Sequence, residues 1–139
     1  MQVVLDTNVL ISALLLESSL PAQLLTHWRR GRFQLLTALP QFDELQRVTR
    51  YPKIRERLKP ALAGRLVNEL RELAVLVEPL QSLDVSPDPY DNYLLAIALG
   101  GDADYLVTGD KSDLLFLGKH GGTRIQSVRD FLSLTRLHV

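Results

Sequence analysis

Two segments of this chain end a short apolar run on a carboxylate: Val3-Val4-Leu5-Asp6-Thr7-Asn8 and Tyr105-Leu106-Val107-Thr108-Gly109-Asp110. Apolar runs of that length, bounded by turn formers, predict buried parallel strands, which places Asp6 and Asp110 at strand carboxyl ends. That edge is where open α/β sheets carry their sites. If the two strands are neighbours, the acids face each other across a few ångströms from opposite ends of the chain, and anions so close call for a cation.

Three further acids could join them: Asp113 in the turn after Asp110, Asp91 at a predicted helix start, and Glu44 within a predicted helix. Each acid also has a plain structural reading. Asp6 could cap the next helix, and Asp110 or Asp113 could close a turn through side-chain to backbone hydrogen bonds. Asp91, three residues after the capping Asp88, suits the helix dipole and its free amides. Glu44 could pair in solvent with Arg47 one turn on. Asp102 and Asp104 precede their strand, so at about 3.3 Å per residue they belong to the opposite edge, well over roughly 10 Å from Asp110. A carboxylate cluster lacking histidine and cysteine selects a hard cation, Mg²⁺ or Mn²⁺, rather than zinc. The histidines, His27, His120 and His138, are scattered and suggest no metal or acid-base cluster.

The elements that must position these acids follow from periodicity and turn chemistry. Asn8 to Leu16 is apolar enough to be a buried helix, with Thr7 or Asn8 as its cap. Pro21 opens a helix that Gly31 ends, and Phe33 to Leu36 predicts a strand. Thr37 and Pro40 start a helix with Phe42, Leu45 and Val48 at helical spacing, and Pro52 stops it. From Pro60 onward, Leu62, Leu66, Leu70, Leu73 and Ala74 make one apolar stripe, and Ala74 to Val77 peels into a third strand. Asp88-Pro89 opens a helix that is apolar nearly all round from Leu94 to Ala98 and that Gly100-Gly101 closes. A short helix near Leu114, a strand at Thr123 to Ile125 and a helix from Ser127 complete the chain. The alternation predicts an α/β fold: one domain over residues 1–139 with about five mostly parallel strands and helices on both faces.

At 139 residues with 46% hydrophobic composition, the chain can bury a core of its own. Sixteen basic residues balance sixteen acids, so composition gives no bulk attraction to nucleic acid or membrane. Absence of cysteine excludes thiolate catalysis, disulfides and cysteine-ligated metals. Met1 leads into the first strand without the pattern of a secretory signal, so a cytoplasmic protein is expected. Leu14-Leu15-Leu16 with Leu20 and Leu24 reads as core in preference to an interface surface.

Taken together, Leu5-Asp6-Thr7-Asn8-Val9-Leu10, Phe42-Asp43-Glu44-Leu45, Asp88-Pro89-Tyr90-Asp91 running into Leu94 to Ala98, and Asp104 to Asp110 resemble the PIN-domain nucleases. The resemblance spans nearly the full length in the right order. It looks strongest toward the prokaryotic VapC-like branch, the toxin components of toxin-antitoxin pairs. By that likeness Asp6, Glu44, Asp91 and Asp110 match the acidic quartet that serves as metal ligands and catalytic residues, Asp113 matches a fifth, and Asn8 and Thr108 match polar helpers. The chain departs at Asn92, where relatives often carry another acid, leaving the choice between Asp88 and Asp91 open. It departs also at Ser112, which lengthens the turn before Asp113. The resemblance implies hydrolysis of RNA leaving a 5′-phosphate and a 3′-hydroxyl, an antitoxin partner and a homodimer.

Six basic residues lie between Arg47 and Lys59 (Arg47, Arg50, Lys53, Arg55, Arg57, Lys59) against Glu56, whereas Glu78 to Asp113 holds eight acids against Lys111. Arg47, Arg50, Lys53 and Arg55 are therefore candidates for tracking backbone phosphates beside an acidic centre, with an ordinary solvated surface as the alternative. Sparse aromatics give little support for base stacking; Tyr51, Tyr90 and Trp28 read equally well as core or surface filler. A haloacid dehalogenase-like phosphatase would also begin with a strand ending in a nucleophilic aspartate. It needs a second aspartate two residues later, where this chain has Asn8. A non-catalytic RNA-binding or protein-binding module would gain nothing from four mutually repelling acids.

Overall fold

Each of the two apolar runs forms a strand, and the two strands pair. The computed structural model describes residues 1–109 and 112–136. In chain order it contains β1 (Gln2–Leu5), α1 (Thr7–Leu15), α2 (Leu20–Arg29), β2 (Gln34–Thr37), α3 (Leu39–Val48), α4 (Pro52–Arg55), α5 (Pro60–Leu73) and β3 (Val75–Leu76). Then follow α6 (Pro89–Gly100), β4 (Tyr105–Thr108), α7 (Ser112–Leu117), β5 (Lys119–His120), β6 (Thr123–Ser127) and α8 (Val128–Thr135). The strands form one six-stranded sheet in the order β3-β2-β1-β4-β6-β5. All neighbours are parallel except β5 and β6. The central pair sets Leu5 opposite Val107, so the chain's two ends share one edge of the sheet.

Alternation along the strands distributes the core to both faces. Val3, Leu5, Leu35 and Val107 pack with α1, α2, α3, α5 and α8 on one side. Val4, Leu36, Leu106 and Ile125 pack with α6 and Leu114 of α7 on the other. Helix α6 is buried along Leu94 to Ala98, each at most 2% exposed, as its unbroken apolar run requires. Gly100 and Gly101 do more than end it. A Cβ on Gly101 would lie 2.6 Å from Leu36 Cδ1 and 3.3 Å from the Ile97 carbonyl, and one on Gly100 would lie 2.9 Å from Val77 Cγ1. The glycines therefore let the helix end close onto the sheet.

Several expectations are corrected. The sheet has a sixth strand: Lys119-His120 turns back onto β6 through Gly121-Gly122, with Gly121 at φ 56°. Two polar residues carry no hydrophobic period, but a Gly-Gly pair between strand segments is a hairpin signal. The α5 stripe is narrower than its sequence suggests, because Leu66 and Leu70 are buried while Leu62 and Leu73 are exposed. Thr37 does not start α3, which begins at Leu39; it ends β2 and its hydroxyl donates to Gln41 Oε1. Pro52 begins the short helix α4 rather than merely stopping α3, which ends at Val48. Leu24 is core and Leu14, Leu15 and Leu20 pack against it, but Leu16 is exposed. Among the described residues no single helix is long and apolar enough to cross a membrane.

Candidate active site

Asp6 is the residue at which β1 becomes α1. Its amide donates to the Val107 carbonyl at 2.9 Å, continuing the pairing with β4. Its φ and ψ of −56° and 142° then turn the chain, and its Oδ1 accepts from the Asn8 amide at 3.1 Å. Asp6 is thus the N-cap, as its plain structural reading had it and in place of Thr7 or Asn8, because the residue just before the helical turn is the one whose short side chain reaches the free amides. Its Oδ2 accepts from the Thr108 hydroxyl at 2.8 Å, so β4 fixes the carboxylate from the other side. Asp6 is 6% exposed and Thr108 is fully buried. Asn8, by contrast, is exposed and reaches Asp6 through its backbone amide.

Asp91 sits in the first turn of α6, which Asp88 caps by accepting from the Tyr90 amide at 3.0 Å. Proline at the first helical position and a buried apolar body aim that turn at the sheet edge. Asp91 is 5% exposed and accepts from the Ser86 hydroxyl at 3.0 Å. Burial raises its pKa above the usual carboxylate range; the Ser86 bond opposes that shift, and the charges of Asp88, Asp6 and Asp113 add to it. Asn92 faces other work. Its Oδ1 accepts from the amides of Val85 and Ser86 at 3.0 and 2.8 Å, and its Nδ2 donates to the Ser86 carbonyl, pinning the loop that carries Ser86. With Asp88 engaged as the cap and Asn92 in the loop, Asp91 is the buried acid of this turn.

Glu44 is held from the far side of the cleft. Its Oε1 accepts a short hydrogen bond from the Tyr93 hydroxyl, which also lies 3.0 Å from Thr7 Oγ1. Burial, then the Glu44 bond, push the Tyr93 phenol far above its ordinary pKa, with the Asp6 charge adding to both, so it remains a neutral donor. Gln41, one turn before Glu44, donates to the Leu5 carbonyl at 2.7 Å and accepts from Thr37, tying α3 to the ends of β1 and β2. The expected contact between Glu44 and Arg47 exists at 3.9 Å, but the Glu44 side chain is only 13% exposed and is not a solvated glutamate. Arg47 lies over the Tyr90 ring, 4.8 Å from its centroid.

Asp6, Glu44 and Asp91 thus share one neighbourhood built by α1, α3 and α6, with exposed Asp113 in the first turn of α7 within electrostatic reach. Asp110 lies outside the described residues, as does His138. Asp104 is at the other end of β4, where it accepts from the Gln2 amide at 2.8 Å. Among the described residues no three His, Cys, Asp or Glu side chains form a group that would hold one metal ion. The donor chemistry nevertheless suits a hard cation: the groups are carboxylate oxygens, two of them buried, and among the described residues Asp91 has no ion-pair partner. Of the basic candidates, Arg47, Arg50, Lys53 and Arg55 are all exposed. Arg47 borders the acids, whereas Arg50 and Arg55 line a cleft between α3, α4 and α5 together with Arg71.

Tyr93, Thr7, Gln41 and Ser86 are the positioning groups that the sequence reading missed. A signal existed for Tyr93, since a tyrosine inside an otherwise apolar buried helix needs a partner for its hydroxyl.

A family model described as the PIN domain matches residues 2–112. The chain belongs to the PIN-domain family, whose members are generally nucleases that use divalent metal ions. No curated protein and no solved structure matches it.

Proposed function

We propose that this protein is a divalent-metal-dependent endoribonuclease of the VapC-like branch, the toxin of a prokaryotic toxin-antitoxin pair, hydrolysing phosphodiester bonds of RNA. One observation carries the catalytic part of this reading: Asp6 and Asp91, far apart in the sequence, are both buried, Asp6 where β1 meets α1 and Asp91 in the first turn of α6, and close enough for the charge of Asp6 to add to the effect of burial on Asp91. Burial of neighbouring carboxylates is costly unless their charge is compensated. Mg²⁺ or Mn²⁺ suits these oxygen donors, and when bound it supplies Lewis acidity toward the oxygens of the scissile phosphate.

In this reading Asp6, Asp91 and Asp110 hold the ion, with Asp113 at its margin. Glu44, oriented by Tyr93, receives the proton of the attacking water and so aligns it for in-line displacement. Thr108 and the Asn8 amide keep Asp6 in place. Arg47, Arg50, Lys53 and Arg55 contact backbone phosphates without reading sequence. An antitoxin partner, a homodimer, a cytoplasmic location and a single domain accompany this proposal.

Hydrolysis of single-stranded RNA by the purified chain tests it. Cleavage is expected with Mg²⁺ or Mn²⁺ and not in EDTA, and Asp6→Asn is expected to lose about 2 kcal/mol of transition-state stabilisation, roughly a 30-fold drop in rate. Undiminished cutting by the variant rejects the mechanism.

A further inference from the structure

Phe116 is 94% exposed, the most exposed large hydrophobic residue among those described. It stands on α7 one turn after Asp113, so the two side chains share a helix face with Cβ atoms about 5–6 Å apart. Phe116 and Asp113 line one cleft of about 510 Å³ with Val85, Ser86, Pro87 and Leu117. Ser86 is the residue whose hydroxyl bonds Asp91. The cleft therefore has at one wall the serine that bonds the buried carboxylate and at another an exposed aromatic ring with no ring or cation contact among the described residues, with the apolar surfaces of Val85, Pro87 and Leu117 beside it. We propose that this cleft is a nucleobase subsite, in which Phe116 stacks the base of the nucleotide adjoining the scissile phosphate.

The inference rests on the nuclease reading and extends it. A phosphate held at the carboxylates brings its own nucleoside with it, Asp113 of α7 is near enough for its charge to act on Asp91, and every base offers a π-face to an aromatic ring whatever its identity. Stacking would supply local grip on a single strand while leaving sequence choice loose. A protein partner is the competing occupant, but two of the cleft's lining residues belong to the acidic neighbourhood, Ser86 by its bond to Asp91 and Asp113 by its charge acting on it, which favours the substrate.

Binding of a fluorescein-labelled single-stranded RNA oligonucleotide with cleavage-resistant phosphorothioate linkages, measured by anisotropy in Mn²⁺ with gels showing the probe intact, tests the proposal. Phe116→Ala is expected to weaken binding about tenfold, within the range for loss of one base–aromatic stack. Phe116→Trp is expected to keep the affinity and to show indole emission quenched by the oligonucleotide, over a steady background from Trp28, which is buried. An oligonucleotide with abasic positions is expected to bind both variants alike. Unchanged affinity in Phe116→Ala, or an equal loss on the abasic probe, overturns the subsite. So does a Phe116→Ala protein that sediments as a smaller species with its oligonucleotide affinity intact, which would assign the ring to a protein interface. Failure of the unaltered chain to bind any oligonucleotide overturns subsite and nuclease reading together, whereas base-dependent binding without cleavage of unmodified RNA sinks the hydrolytic reading alone.

Discussion

A single hydroxyl, that of Tyr93, connects the three helices that meet at the site: it sits on α6, donates to Glu44 of α3 and touches Thr7 of α1. Glu44 has a second attraction in Arg47, whose guanidinium lies 3.9 Å away on the outer side. Removing the hydroxyl frees the carboxylate to turn outward to Arg47. Tyr93→Phe is therefore expected to lower kcat for RNA about tenfold with KM unchanged and with urea stability altered by no more than about 1 kcal/mol. A merely structural tyrosine would instead lower stability and leave the kcat of the folded fraction alone. Asp6 was legible in the sequence because a buried strand that ends in a carboxylate is conspicuous, whereas Asp91 read equally as a helix-dipole residue and Glu44 stood out only with the family likeness. The residues that hold these acids were not legible. Tyr93 and Gln41 sit among apolar residues at helical spacing, so each reads as core until the fold brings its distant partner within reach.

Among the elements, those with a strong hydrophobic period or a terminal cap were readable: β1, β4, α6 with Asp88 and Pro89, and the α2 end at Gly31, whose φ is 74°. Elements set by tertiary contact were not. Strand β5 is two polar residues and carries no period-2 signal of its own, whereas β3, just as short, fell inside the strand expected at Ala74 to Val77 because the α5 stripe ends there. Gly100-Gly101 was readable as a helix stop, whereas its reason, close packing on Leu36 and Val77, belongs to the folded sheet. This separates two explanations that a mutation can distinguish. Gly101 has φ −98°, a conformation open to any residue, so its replacement costs through crowding alone. Gly101→Ala is expected to destabilise by about 1–3 kcal/mol in urea unfolding. Gly64→Ala, on an α5 surface with nothing within 4 Å of the added carbon, is expected to be neutral or stabilising by up to about 1 kcal/mol.

At the scale of the molecule, parallel pairing of β1 with β4 converts a separation of about a hundred residues into direct contact, seen in the bond from Thr108 to Asp6. The sheet order places that pair at its centre, with the chain crossing from one side of β1 to the other, and such switch points are where α/β sheets bind ligands. The energetic consequence is a conflict that the fold does not resolve internally: Asp91 is desolvated and surrounded by Asp88, Asp6 and Asp113. Its raised pKa means that the folded chain holds a proton that the unfolded chain has already released. Stability of the metal-free protein therefore falls as pH rises through the window between the unfolded and folded pKa values of Asp91. A divalent ion must displace that proton, so uptake is expected to strengthen over the same rise in pH.

Calorimetric titration of the metal-free protein with Mn²⁺ at neutral pH examines the convergence of carboxylates most directly, because it asks for the ion and not for a substrate. Saturable uptake is expected in the unaltered chain, weakened at least about tenfold in Asp6→Asn and in Asp91→Asn, each of which removes one negative charge from the proposed site. Absence of uptake, or equal affinity in all three proteins, would contradict the account.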